Sequence, residues 1–355
     1  MSRTARGEVF DPSEIATVHV MNRVVRRCFL MGIDAVAGKD YGHRKDWLEA
    51  ELERVAAFFG IDCLNFAILS NHFHLILRSR PDVVASWDDR EVARRWLMLC
   101  PRRTLKDGSP KAPTEPELNS IATDEDQLAD MRLRLSDISW WMRLVCQRIA
   151  QRGNFEDDQS GKFWQARFKA VCLLDEEAIL AGAAYVDLNP IRAALAESLE
   201  LSDHTSVQRR IAALRGSLAL VSEPGTEQAD ELPDAFLAPL EIDELHDELG
   251  PRPSTTTKRS SDKGFLAMPL AAYLELLDWT ARQLAPGKSG ATPPNSPPIL
   301  ERLKIEPDVW CGLVSGFGRL FSLIAGLPDH VDSYRGGKRG CRFHVPHAAR
   351  QLLDC

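Results

Sequence analysis

The chain is expected to fold as α+β, with a central and mainly antiparallel sheet, helices on one face, and a mainly helical C-terminal extension. Three observations predict this. Apolar periodicity over roughly the first 215 residues gives the order strand, helix, strand, strand, helix, strand, helix. The two middle strands are separated only by Ser70-Asn71, a tight hairpin turn, while helices make the longer crossovers, a split β-α-β pattern. Beyond Arg215 the composition changes and strand-like runs give way to helical ones.

Each element has its own warrant. The segment from Ile15 to Val25 contains Thr17-Val18-His19-Val20-Met21-Asn22-Arg23, β-branched and alternating, and reads as a strand. Arg44 to Phe59 reads as a helix, with Trp47, Leu48, Leu52, Val55, Ala56 and Phe59 on one stripe and Gly60 as its stop. Cys63–Leu69 and His72–Arg78 are the hairpin strands. The stretch 80–130 is read as an insertion, helical over Asp88–Leu99 and a loop over Pro101–Pro116. Ser136–Gly153 is a helix with Asp137 near its start. Phe168–Leu174 is a strand, and Asp175-Glu176-Glu177 heads a helix whose dipole they suit. That helix ends at Asn189-Pro190.

The chain has 355 residues, 44% hydrophobic and 27% charged, enough for a sizeable core. The expected organisation is a domain over 1–215, an acidic then Ser/Thr/Lys-rich linker over 216–263, and a helical region with a basic tail over 264–355. Nothing reaches the ~18 apolar residues of a membrane span, and the first residues lack an apolar signal core. The eight cysteines show no metal or redox spacing, which fits a reducing cytoplasm. A net charge of −7 argues against a phosphate-bearing partner, but the mean conceals an asymmetry. Ser217 to Gly250 holds 10 acidic residues and no Lys or Arg, whereas Met131 to Cys172 holds 8 basic against 4 acidic.

Two motifs carry chemistry. In His72-Phe73-His74 the strand pleat puts both imidazoles on one face, about 7 Å apart, close enough to converge on one divalent ion. Tyr185 and Asn189 stand one helical turn apart on a common face, and an Asn amide oxygen suits a hard cation. A free tyrosine has a pKa of about 10, so it needs activation to act as a nucleophile. Taken alone, each motif is more often structural.

The order of the blocks carries more than any one of them. His19-Val20-Met21-Asn22-Arg23, Ser70-Asn71-His72-Phe73-His74-Leu75-Ile76, Phe163-Trp164-Gln165-Ala166-Arg167-Phe168-Lys169 and Tyr185 through Ala193 together resemble the single-tyrosine HUH transposases, above all the REP-associated tyrosine transposases. The resemblance covers about residues 15–215. It implies a ferredoxin-like HUH domain that cleaves and rejoins single-stranded or hairpin DNA through a 5′-phosphotyrosine, with Mg²⁺ or Mn²⁺. Carried over by position, Tyr185 is the nucleophile, His72 and His74 are metal ligands and Asn189 is the third. Many relatives have His where this chain has Asp187, a position pointing away from Tyr185.

DNA contacts are sought among cations interleaved with aromatics: Lys162, Trp164, Arg167, Lys169, Arg143 and Arg192. His19 is a candidate support for a metal-ligating histidine. His344 and His347 lack a further ligand, and the basic tail around them is a candidate backbone contact. Two alternatives stay open: a replication-initiator or relaxase-type nickase, and a domesticated or non-catalytic DNA-binding protein. Monomer and homodimer both fit.

Overall fold

A computed structural model describes residues 10–25, 30–34, 38–106, 108–220, 232–243, 250–284 and 297–337. Within them the elements are β1 (Thr17–Arg23), α1 (Arg44–Ala56), β2 (Ile61–Ile68), β3 (His72–Ser79), α2 (Pro81–Ser86), α3 (Asp89–Leu99), α4 (Glu115–Ala122), α5 (Glu125–Ser136), α6 (Ile138–Glu156), β4 (Lys169–Leu173), α7 (Glu176–Asp187), α8 (Asn189–Arg192), α9 (Ser206–Leu220), α10 (Leu270–Leu284), α11 (Pro298–Arg302), α12 (Pro307–Leu320), β5 (Ile324–Ala325) and α13 (Pro328–Gly337). The His344/His347 pair and much of the acidic stretch lie outside the described residues.

The sheet runs β2-β3-β1-β4-β5. The first four strands pair antiparallel, and β5 joins β4 in parallel, so the sheet is mixed. Helices cover both faces, not one as expected. On one face α1 and α6 bury Leu48, Leu52 and Val145 against Val18, Val20, Phe73, Leu75 and Leu77. On the other, α7, α10 and α12 pack Leu180, Ala183, Leu276, Phe317 and Leu313 against Ile76, Val171 and Leu173. β2 shows why: every residue from Ile61 to Ile68 is buried, the pattern of a strand covered on both sides. Its polar members have internal partners. Asp62 accepts from Arg78 and Arg80, and Asn65 donates to Asp187.

The C-terminal region is fastened to this frame. Asp175 caps α7 by accepting from the Ala178 N–H, and its other oxygen accepts from the Leu327 N–H and meets His330. Arg78 donates to the Lys263 and Gly264 carbonyls beside β2. Close approach of α7 to the sheet is allowed by Gly182, where a Cβ would sit 3.3 Å from Leu173 and 3.4 Å from Phe317. Among the described residues no helix is long and apolar enough to cross a membrane.

Candidate active site and nucleic-acid interface

Strand alternation places His19, Met21 and Arg23 on the α7 face of β1, across from Ile76, His74 and His72 of β3. α7 lays Tyr185 over this patch. The ring centre of His74 lies 5.0 Å from His72, 5.1 Å from His19 and 5.3 Å from Tyr185. The structure therefore brings His19, His72, His74 and Tyr185 into one cluster. Asn189 is buried one turn beyond Tyr185, at the start of α8.

Hydrogen bonding sets which ring nitrogens are available. The amide oxygen of Asn71, 2.6 Å from His72 Nδ1, can only accept, so Nδ1 carries the proton and Nε2 keeps its lone pair. His74 Nδ1 lies 2.9 Å from His19 Nε2. When His74 Nδ1–H is the donor of that bond, His74 Nε2 is left with a lone pair. That atom is buried and has no hydrogen-bond partner among the described residues. Burial holds all three rings neutral. It pushes His19 down to about 4. His72 falls to about 4 through burial and then Arg23. His74 falls well below the ordinary range through burial and then its neighbours His19 and His72.

This has a consequence for stability in metal-free protein. His19 titrates near 6.5 when unfolded and near 4 when folded, so the unfolded chain takes up the proton first. Its contribution is complete above about pH 6.5 and is lost as pH falls toward 4, a loss of order 3 kcal/mol for this ring alone. Urea unfolding in chelator should show stability dropping across that window. A profile flat from pH 7 to 4 would contradict the burial of these rings.

A covering element lies above the tyrosine. Phe317 of α12 stacks on Tyr185 at 5.5 Å and edges His19 at 5.8 Å. A Cβ built on Gly318 would stand 2.8 Å from the Tyr185 hydroxyl and 3.4 Å from Cζ. Gly318→Ala must therefore push either the rigid tyrosine ring or α12 aside, at a cost of about 1–3 kcal/mol. Thermal unfolding would register it, and an unchanged midpoint would mean that α12 does not rest on the tyrosine.

The sequence-predicted DNA contacts separate into groups. Lys169 is exposed on the α7 face, paired across Met21, whose other neighbour is His74. Lys162, Arg143 and Arg167 are exposed around a cleft on the α6 face. Trp164 is half-buried: its ring meets Phe73 and Phe163, and its indole N–H donates to the Cys146 carbonyl. Arg192 is turned inward, its guanidinium 4.9 Å from the Tyr185 ring centre and donating to the Ser315 carbonyl.

Sequence reasoning passed over three residues of this neighbourhood. Arg23 stands across from His72 and has a buried Nε with no hydrogen-bond partner among the described residues. The alternation of β1 would have placed it on the histidine face once the strand pairing was known. Phe317 and Gly318 lie far downstream, and no local pattern ties them to Tyr185.

No family model matches the chain, and no curated protein matches it. Among solved structures, the REP-associated tyrosine transposase bound to a REP hairpin aligns with 61% of this chain and 87% of its own, at 11% identity and a TM-score of 0.33.

Proposed function

We propose that the protein is a metal-dependent DNA nuclease and strand transferase of the HUH tyrosine-transposase type, acting on single-stranded or hairpin DNA. The observation that carries this is the juxtaposition of Tyr185 with His72 and His74, three motif residues from two elements in one cluster. Tyr185 Oη would attack the scissile phosphorus. The Oη–P bond forms as the P–O3′ bond breaks, the phenolic proton leaves to water, and the departing 3′-oxygen gains one. The DNA stays attached through a 5′-phosphotyrosine, and a 3′-hydroxyl attacking that ester would reverse the step.

The donor atoms suit a divalent cation. His72 Nε2 and the orphaned His74 Nε2 are neutral nitrogens, with the Asn189 amide oxygen as the proposed third ligand. Among the described residues no group of three or more His, Cys, Asp and Glu is placed to hold a metal, so water and phosphate oxygens would complete the shell. Bound there, the ion would supply Lewis-acid withdrawal of charge from the phosphate. Mg²⁺ favours oxygen donors, so two imidazoles favour Mn²⁺. His19 would orient His74 through their shared hydrogen bond. Arg23 would face the phosphate beside His72.

The test is incubation with a single-stranded hairpin oligonucleotide and Mn²⁺, followed by denaturing electrophoresis. A covalent protein–DNA band is expected, weaker in Mg²⁺ and absent in EDTA. The packing of Gly318 on the tyrosine hydroxyl favours a second reading, a DNA-binding protein that does not cut. Binding without any adduct would select it.

A further inference from the structure

A cleft of about 840 Å³ opens on the face of the sheet opposite Tyr185, between α6 and the segment 162–168. Its volume lies in the ~300–1,000 Å³ range of sites that take small organic groups. Trp140, Met142, Trp164 and Phe168 give it apolar and aromatic walls, and Arg143, Lys162 and Arg167 stand among its lining residues. Asp137 also lines it, but its carboxylate caps α6 by accepting from the Ser139 N–H.

The walls are held in place. The Trp164 indole donates to the Cys146 carbonyl, and Asn22 donates to Cys146 Sγ. The main chain of the segment is stitched to the end of β1 by Val25 N–H to Phe163 and Gln165 N–H to Arg23. A rigid aromatic cavity rimmed by three exposed cations matches a planar aromatic ring that carries a negative charge. In a duplex the faces of the bases are stacked and only their edges are presented, whereas an unpaired base offers its face to aromatic side chains.

We propose that this cleft binds a single unpaired nucleotide of the DNA strand, its base against the aromatic walls and its phosphate held by Arg143, Lys162 and Arg167. The inference rests on the reading of the protein as a DNA-acting enzyme, and it adds a second, separate contact. Asn22 lines the cleft and its chain neighbour Arg23 lies on the histidine face, so one strand end links the two sites. A nucleotide seated in the cleft would anchor the strand as it turns round that end of the sheet toward Tyr185.

The probe is an oligothymidylate carrying one 5-iododeoxyuridine, irradiated with the full-length protein and analysed by mass spectrometry. Crosslinks are expected at Trp140, Trp164 or Phe168, and a blunt, fully paired duplex should give none. Ala166 is exposed on the cleft wall, so Ala166→Trp fills the space without touching the core. It should weaken oligothymidylate binding roughly ten- to a hundred-fold, the loss of one stacked base. Arg143→Glu should weaken binding and flatten its salt dependence. Crosslinks elsewhere, or unchanged affinity in Ala166→Trp, would overturn the proposal. The two readings fail separately. Crosslinking here with no tyrosyl adduct refutes only the catalytic reading, and an adduct with crosslinks elsewhere refutes only this one.

Discussion

Tyr185→Phe is expected to abolish the covalent protein–DNA species while leaving oligonucleotide affinity within about twofold, because it removes the one oxygen that can bond phosphorus. Little else should change. The ring keeps its packing against His74 and Phe317, and only its hydroxyl contacts with Arg192 and Gly318 are lost. Loss of one partly exposed hydrogen bond costs about 1 kcal/mol, too little to unfold the domain. Two of the other three tyrosines are engaged in contacts of their own. Tyr273 is fully buried and donates to Asp187, and the ring of Tyr41 lies beneath Arg44 and Lys39. An adduct surviving in Tyr185→Phe would therefore remove the assignment outright, and peptide mapping of the adduct would name the true nucleophile.

Much of the site's geometry could be read from local periodicity. A period of two places His72 and His74 together whatever the strand pairs with, and a period of 3.6 places Asn189 below Tyr185. The hairpin turn at Ser70-Asn71 and the caps at Asp137 and Asp175 are equally local. The coverage of the second sheet face is not. β2 hides its signal because Asp62 and Asn65 interrupt an otherwise apolar run, and only their partners Arg80 and Asp187, distant in sequence, reveal that both are buried. For the same reason the inward turn of Arg192 has no local signal. Nothing near it in the chain announces that Ser315 will take its guanidinium. Strand alternation carried back from Lys169 puts Arg167 on its face, opposite Phe168; instead Arg167 lines the cleft together with Phe168, Lys162 and Arg143, because the regular pairing of β4 begins only at Lys169.

Asp187→Ala should be the most destabilising single change in the α7 region, at about 3–5 kcal/mol in urea unfolding. The carboxylate is fully buried and accepts from Asn65, Ser206, Tyr273 and the Val207 N–H, joining α7 to β2, α9 and α10. Burial raises its pKa, against the pull of those donors. Removing it strands several buried donors together, each costing about 1–3 kcal/mol if water cannot reach it. Asp187→Asn keeps the shape but turns an N–H₂ toward donors, and should lose roughly half as much. Tyr273→Phe removes one donor and should cost about 1 kcal/mol. In the Asp187→Ala background the same change should cost almost nothing, because the partner is already gone. Additive losses in that double-mutant cycle would show that the two groups are not coupled. The residue points away from Tyr185, two positions earlier on the helix, and that orientation is what lets it act. Anchored on the far side, the last turn of α7 cannot roll, and the ring of Tyr185 is held toward His74. Adduct formation should therefore fall in Asp187→Asn even at temperatures where the variant remains folded, whereas a residue that served stability alone would leave the rate of adduct formation by the folded variant unchanged.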